Sequence, residues 1–274
     1  MIPQAVILLG GQGTRLAALY PDRPKALVPV HGRPFIEWQL DWLRRNGVRR
    51  ILLAAGHKAE VLEAWLADRP SDDLSLRLSR EPAPLGTGGA LRHVESLLET
   101  SHVLVLNGDT LLPRLHLSTV WKLFFHTMEK NEDDFPYYGK LPAEFSTLWK
   151  TFFHAMEKPD GLFPDCATLW VAPIADPGRY GTVEFGPDGL VSAFREKAPR
   201  TSGHVNAGIY LLPRRLLAAI PSGRPVSIET EVFPALAAQR GLFALPAPAP
   251  LLDMGTPDGL AAMEAFLADR PPPA

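Results

Sequence analysis

The residues best suited to chemistry stand near the N-terminus, where an apolar run ends in a glycine-rich loop followed by two cations. Residues 4–9 are rich in Val, Ile and Leu without alternation, as in a buried parallel strand. The three glycines in positions 10–13 allow positive φ and let backbone N–H groups approach an anion. Arg15 and the proline-flanked Lys25 would add two positive charges. The pattern predicts a phosphate-binding loop, with an ordinary strand-to-helix turn as the alternative.

A carboxylate stands at a comparable place further along the chain. Residues 102–106 form an unbroken apolar run, and Asp109 follows shortly after it. Open α/β sheets bind ligands at the carboxyl ends of their central strands, so Asp109 is the first candidate metal ligand. Mg²⁺ favours one or two carboxylates together with phosphate oxygens and water. A second carboxylate is therefore expected near Asp109.

The glycine loop matches neither of the two commonest nucleotide motifs. A Walker loop would end in Lys followed by Ser or Thr, and here Thr14-Arg15 stands instead. The glycine spacing also differs from the dinucleotide-binding fingerprint. The loop alone therefore does not identify the ligand.

Hydrophobic periodicity predicts the elements that must position these residues. Residues 34–46 have helical spacing and stop at Gly47. Residues 50–55 are a second apolar strand, residues 58–67 an amphipathic helix, and residues 74–78 alternate like an edge strand. This alternation of strands and helices is typical of an α/β fold with a parallel sheet.

Length, charge and cysteine content restrict the class of protein. A chain of 274 residues with 46% hydrophobic content can build one large α/β domain or two small ones. Its net charge of −2, with both signs interspersed, gives no indication of nucleic-acid or membrane binding, so small molecules are the expected partners. Cys166 is the single cysteine, and neither an 18-residue apolar stretch nor a basic leader is visible. We therefore expect a cytoplasmic protein.

Several segments resemble the motifs of the sugar-phosphate nucleotidylyltransferases, enzymes that join a nucleoside triphosphate to a sugar 1-phosphate. The first two are Gly10-Gly11-x-Gly13-Thr14-Arg15-Leu16 and Pro24-Lys25-Ala26-Leu27-Val28-Pro29. Leu85-Gly86-Thr87-Gly88-Gly89-Ala90 is similar to the base-contacting loop of that family. Six motifs occur in the family's order, and the resemblance covers most of the chain outside residues 115–165.

The resemblance implies a Rossmann-like nucleotide-diphospho-sugar transferase fold, with a mainly parallel mixed sheet flanked by helices. It also implies in-line attack by the sugar 1-phosphate on the α-phosphorus of the triphosphate, with release of pyrophosphate. Such a transfer depends on positioning and charge neutralisation more than on an acid or base. Asp253, in a motif similar to the family's, would join Asp109 as a ligand of Mg²⁺. Arg15 and Lys25 would hold the phosphates and complete the catalytic set.

The other site residues that the resemblance implies fall into two groups. The nucleotide would contact Leu9, Gly10, Gly11, Gly13, Thr14, Arg15, Gly86, Thr87, Gly88 and Asn107. The sugar phosphate would contact Gly181, Glu196, Lys197, Asn206 and Glu229. Lys197 would hold the phosphate and Glu196 would accept hydrogen bonds from sugar hydroxyls. For Glu229, which precedes a helix that Ser227 can cap, contact with the sugar and a purely local role remain equal alternatives.

Within the family, the motifs and the short length are most similar to the heptose 1-phosphate guanylyltransferases. This similarity predicts GMP transfer from GTP in the synthesis of a cell-surface polysaccharide precursor. Mannose 1-phosphate guanylyltransferases are close rivals, as is the uridylyltransferase that acts on N-acetylmuramate 1-phosphate. An alternative of another class is a regulatory protein that binds nucleotide sugars without catalysis.

Residues 115–165 depart from the family's pattern. Residues 118–130 recur nearly unchanged as residues 146–158, with ten of thirteen positions identical, and Phe135-Pro136 recurs as Phe163-Pro164, so residues 118–136 and 146–164 form a near-duplicate. Each copy places aromatic side chains and a methionine on one helical face, which predicts two helices that pack on each other or on a partner. A recent duplication, an engineered insert and a sequence artefact would look alike. We therefore expect a single domain over residues 1–274 with a helical insert, through which a homo-oligomer could form.

Overall fold

The structure is a computed structural model that describes residues 3–117, 166–174, 181–195 and 202–268. The near-duplicate segments at 118–136 and 146–164 lie outside the described residues, as do Glu196 and Lys197. The predictions made for them stay predictions.

Thirteen strands occur in the described part of the chain. In chain order they are β1 (Gln4–Leu9), β2 (Pro29–Val30), β3 (Arg33–Pro34), β4 (Arg50–Ala55), β5 (Ser75–Arg80), β6 (His102–Asn107), β7 (Thr110–Leu111), β8 (Ala167–Ile174), β9 (Thr182–Phe185), β10 (Val191–Arg195), β11 (Gly203–Pro213), β12 (Leu242–Pro246) and β13 (Leu252–Asp253).

Nine of these strands form one mixed sheet. Its parallel part has the order β6-β1-β4-β5, and β11 pairs antiparallel with β6. Beyond β11 the sheet continues through β8 to β12 and through β9 to β10. The predicted α/β fold with a mainly parallel central sheet is confirmed.

Helices cover both faces of this sheet. They are α1 (Thr14–Ala17), α2 (Phe35–Arg45), α3 (Ala59–Asp68), α4 (Gly86–Val94), α5 (Arg214–Ala219), α6 (Phe233–Ala238) and α7 (Pro257–Leu267). One apolar core contains side chains of α2, α3 and α7, and a second core contains side chains of α4, α5 and α6. No helix of the described residues is both long enough and apolar enough to cross a bilayer.

The local patterns of the sequence explain several of these elements. The continuous apolar run of β1 is buried because β1 lies in the middle of the sheet and its side chains enter the apolar core on each face, whereas β5 alternates because it forms the edge of the sheet. Helix α2 ends at Arg45, and Gly47 follows it with a φ of 81°, a left-handed conformation that stops the helix. Helix α7 begins at Pro257, and the Thr256 side chain accepts a hydrogen bond from the N–H of Gly259.

The strand that carries Asp253 does not belong to the main sheet. β13 contains only two residues and pairs antiparallel with β7, so that Asp253 lies opposite Thr110. Because β7 directly follows the loop after β6, this small ladder brings the C-terminal part of the chain to the carboxyl end of a central strand.

Candidate active site

A cleft of about 390 Å³ opens where β1 and β6 end. The glycine loop after β1, the loop before α4 and the turn after β6 form its walls. The lining residues are Leu8, Leu9, Gly10, Gly11, Gln12, Gly13, Lys25, Ala26, Glu81, Pro84, Leu85, Gly86, Thr87, Ala90, Asn107, Gly108 and Asp109. Together with Lys25 and Ala26, four separate segments of the chain thus converge on one concave surface, as ligand sites in open α/β sheets do.

The glycines of the first loop serve different purposes. Gly13 precedes α1 with a φ of 59°, a conformation that glycine adopts without strain. At Gly10, a Cβ would lie 2.6 Å from Oε1 of Glu81, so a side chain there would displace that carboxylate. The absence of a side chain at Gly10 therefore leaves room for the Glu81 carboxylate beside the glycine loop.

Lys25 meets Asp109 at the edge of the cleft. Its Nζ lies 2.5 Å from Oδ2 of Asp109, and the two side chains are 19% and 29% exposed. Residues 25–27 form a short 3-10 turn after the extended Pro24, and the aliphatic part of Lys25 passes beside Gly13. The lysine thereby reaches both the glycine loop and the carboxylate.

Asp253 is held next to this pair by backbone contacts. The N–H of Met254 donates to the Asp109 carbonyl at 3.0 Å, and the N–H of Gly255 donates to Oδ1 of Asp253 at 2.7 Å. A Cβ on Gly255 would lie 2.8 Å from Oδ1 of Asp253 and 3.2 Å from Nζ of Lys25. The two aspartates and the lysine therefore share one small region.

This donor set fits a magnesium ion that also binds phosphates. In the described parts of the chain, no three or more His, Cys, Asp or Glu side chains gather into a cage that could hold a metal by themselves. Two carboxylates completed by phosphate oxygens and water are a usual environment of Mg²⁺. Asp109 and Asp253 are the residues that would hold it.

Glu81 lines the cleft, although no motif in the sequence predicted a role for it. It is 8% exposed and follows the edge strand β5 directly, and its Oε2 accepts a hydrogen bond from the N–H of Leu85 at 3.1 Å. Burial raises the pKa of its carboxyl group, and the Leu85 hydrogen bond and His93 oppose that rise. Its position at the carboxyl end of a strand, just before the glycine-rich loop, is a signal that could have revealed it.

The loop before α4 is shaped by a neighbouring backbone as well as by the cleft. Gly86 has a φ of 70°, and a Cβ there would lie 2.5 Å from the Val226 carbonyl oxygen. The N–H groups of Gly88 and Gly89 both donate to that carbonyl, at 2.8 and 3.2 Å. Gly86 and Thr87 line the cleft, but Gly88 is buried and does not, because it packs on Val226.

A polar network links this loop to strand β11. Oε2 of Glu229 accepts hydrogen bonds from Thr87 Oγ1 at 2.6 Å and from Ser227 Oγ at 3.0 Å, and its Oε1 accepts from the Tyr210 hydroxyl at 3.4 Å. That hydroxyl also accepts from Nδ2 of Asn206 at 2.9 Å. Tyr210 is fully buried, which together with Glu229 holds the pKa of its hydroxyl well above the usual range. The Ser227 cap on the following turn is confirmed by its bond from Thr230 N.

The comparisons with known proteins agree with this architecture. The description "MobA-like NTP transferase domain" belongs to the family model that matches residues 5–244. The chain therefore belongs to this NTP transferase family. The match confirms the resemblance to nucleotidyltransferases that the sequence motifs indicated.

Two relatives of this chain are named as sugar 1-phosphate guanylyltransferases. A mannose-1-phosphate guanylyltransferase of Mycobacterium tuberculosis is 31% identical over 93% of this chain, which spans 61% of that protein. A D-glycero-alpha-D-manno-heptose 1-phosphate guanylyltransferase of Aneurinibacillus thermoaerophilus is 27% identical over 93% of this chain and 94% of its own length.

Solved structures show the same fold. HddC from Yersinia pseudotuberculosis superposes with a TM-score of 0.71 at 25% identity, covering 97% of this chain and 100% of that chain. The same protein complexed with GMP-PN gives a TM-score of 0.70 at 25% identity over the same shares of both chains. The nucleotide-diphospho-sugar transferase fold is thereby confirmed.

Only some of the predicted site residues lie at the cleft. Lining it are Leu9, Gly10, Gly11, Gly13, Lys25, Gly86, Thr87, Asn107 and Asp109. Arg15 is exposed on α1 and does not line the cleft, and the predicted contact of Thr14 with the nucleotide stays a prediction. Asp253, Asn206 and Glu229 are partly buried and do not line the cleft. Gly181 is exposed and directly precedes β9.

Proposed function

We propose that this NTP transferase moves GMP from GTP to a sugar 1-phosphate and releases pyrophosphate. The observation that carries the proposal is the convergence of Lys25, Asp109 and Asp253 at the edge of a cleft with glycine-rich walls. Relatives named as mannose 1-phosphate and heptose 1-phosphate guanylyltransferases support the same class of acceptor. A heptose or mannose 1-phosphate is therefore the proposed acceptor.

The phosphate chemistry follows from the charges at this edge of the cleft. N–H groups of the loop at residues 10–13 would bind the outer phosphates, with Arg15 as an additional cation from α1. Lys25 would contact the transferring phosphate, because its ammonium reaches the rim beside Asp109. Mg²⁺ held by Asp109 and Asp253 would neutralise charge on the reacting phosphates. Lys25 would then exchange its contact with Asp109 for one with phosphate.

The choice of guanine rests on Glu81. Guanine presents two adjacent donors, N1–H and N2–H, which match the two oxygens of a carboxylate. Uracil and thymine present one N–H between two carbonyl oxygens, and those carbonyls would face the Glu81 carboxylate unfavourably. A buried carboxylate in the cleft wall thus supports GTP over UTP as the substrate.

The acceptor sugar would bind on the side of strand β11. Asn206 and Glu229 lie there, and both hydrogen-bond to the hydroxyl of Tyr210. Glu196 and Lys197, outside the described residues, remain the proposed partners of a sugar hydroxyl and of the sugar phosphate.

A substrate panel tests this proposal. Five nucleoside triphosphates would be combined with heptose, mannose and N-acetylmuramate 1-phosphates, with pyrophosphate release as the readout. GTP with a heptose or mannose 1-phosphate should give the highest turnover. Binding of a nucleotide sugar without pyrophosphate release from any pair would contradict the proposal and favour a regulatory protein.

A further inference from the structure

A buried glutamine on helix α2 contacts the backbone on both sides of Asp109. Gln39 is fully buried. Its Nε2 donates to the carbonyl of Asn107 at 2.8 Å and to the carbonyl of Thr110 at 2.9 Å. These two carbonyls flank Gly108 and Asp109, so one side-chain amide spans the turn that carries the carboxylate.

The side chains next to Gln39 on α2 are apolar, so burying an amide among them is unfavourable for the free energy of folding. The neighbouring buried residues of α2 include Ile36, Leu40 and Leu43, and all three are fully buried. Among the atoms of the described residues, Oε1 of Gln39 finds no hydrogen-bond partner. Burying a polar atom without a partner costs free energy, which an apolar side chain would avoid. The benefit of the amide must therefore lie in what its two N–H groups hold.

Other backbone contacts fix the same turn from different directions. The N–H of Gly108 donates to the Leu8 carbonyl of β1, and the Asp109 carbonyl accepts from the N–H of Met254, both at 3.0 Å. A Cβ at Gly108 would lie 2.4 Å from the Leu9 side chain, so the turn also packs tightly on β1. Gln39 supplies the anchor from the helical layer and completes the support of the turn.

We propose that Gln39 is a positioning residue that orients Asp109 toward Lys25 and Asp253 for metal binding. The inference rests on the proposed function, because it assigns Asp109 a metal-binding role. Gln39 donates to the backbone carbonyls of Asn107 and Thr110, so it acts on Asp109 through the backbone of the turn.

The test compares Gln39→Met with a matched change one turn along the same helix. Methionine keeps the length and flexibility of the side chain and removes both donors. The control, Trp42→Phe, removes a hydrogen bond from the Trp42 indole N–H to the Leu115 carbonyl at 3.1 Å, which lies beyond the turn. Gln39→Met deletes two hydrogen bonds from α2 to the backbone around Asp109, and Trp42→Phe deletes one hydrogen bond from α2 to a later part of the same segment.

Two readouts should separate the variants. Hydrogen exchange followed by mass spectrometry should accelerate over residues 107–110 in Gln39→Met, and over residues 112–117 in Trp42→Phe. Mn²⁺ binding, titrated by electron paramagnetic resonance with GTP present, should weaken about 10- to 100-fold in Gln39→Met and remain near wild type in Trp42→Phe. The Mg²⁺ concentration for half-maximal pyrophosphate release should shift in parallel.

Two outcomes would overturn the positioning role. One is wild-type Mn²⁺ affinity together with wild-type exchange over residues 107–110 in Gln39→Met. The other is failure of both Gln39→Met and Gln39→Leu to fold while Trp42→Phe folds, since Gln39 would then be a general structural requirement. Failure of the proposed function looks different: the wild-type protein would release no pyrophosphate, while the exchange measurement would still report on the turn.

Discussion

Replacing Glu81 by glutamine tests the proposed base specificity with almost no change in volume. The amide oxygen of Gln can still accept the hydrogen bond from the N–H of Leu85. The second position of the carboxylate becomes an NH₂ group, which cannot accept from guanine and can donate to a carbonyl oxygen of uracil. Glu81→Gln should therefore disfavour GTP and favour UTP.

The magnitude follows from the loss of one charge-assisted hydrogen bond. Such a bond contributes about 1.5–3 kcal/mol, so kcat/KM for GTP should fall about 10- to 150-fold. Turnover would be measured by pyrophosphate release with GTP and UTP at a fixed concentration of sugar 1-phosphate. Glu63→Gln, an exposed residue of α3, is the control because it changes the net charge equally. An unchanged ratio of GTP to UTP turnover in Glu81→Gln would refute the assignment of Glu81 to the base.

Glu81→Gln should also change how the free energy of unfolding depends on pH, in a direction that follows from the pKa of Glu81. Burial raises the pKa of Glu81 above its ordinary value of 4.5, so the folded protein binds this proton more tightly than the unfolded chain does. At neutral pH the buried charge lowers the free energy of unfolding, and that loss disappears as the pH falls through the raised folded pKa toward 4.5. Glu81→Gln should be at least as stable as wild type at pH 7 in urea unfolding, and its relative advantage should shrink on acidification.

Further predictions concern the metal site, the sugar side and the insert. Asp253→Asn should lower turnover by about 100-fold or more. The melting temperature should change little, because the amide oxygen can still accept the hydrogen bond from the N–H of Gly255. Near-normal pyrophosphate release in Mg²⁺ would remove Asp253 from the metal site. Tyr210→Phe should raise the KM for the sugar 1-phosphate more than the KM for GTP, because Asn206 and Glu229 lose their common partner; equal changes in both KM values would contradict this. Replacing residues 118–145, one repeat unit, with a short linker should leave catalysis largely intact and change the oligomeric state or solubility, as light scattering would show; loss of nucleotide binding in a folded variant of unchanged oligomeric state would place the insert in the site.

Much of the fold could be predicted from the sequence, because hydrophobic periodicity and the signals at helix ends depend on residues that are close together in the chain. The apolar run of β1 indicates a strand buried on both sides, and alternation indicates the edge strand β5. Gly47 and Thr256 mark helix ends because the left-handed backbone and the capping oxygen act within one turn of the chain. The motifs that resemble those of the family predicted most of the candidate site, including the approach of Lys25 to the glycine loop.

The tertiary structure showed how distant residues meet, whereas the sequence implied the meeting of Asp109 and Asp253 only through the family resemblance. A two-residue ladder pairs Asp253 with Thr110 and so gives Asp109 its neighbour, and two residues are too short a strand for any periodicity to reveal. Glu81 resembles a surface residue in the sequence and is buried only because Gly10 leaves room for it. Gln39 likewise becomes meaningful only where helix α2 packs over the turn after β6. These contacts depend on long-range packing and buried polar partners, whose free energies leave no signature in the local sequence.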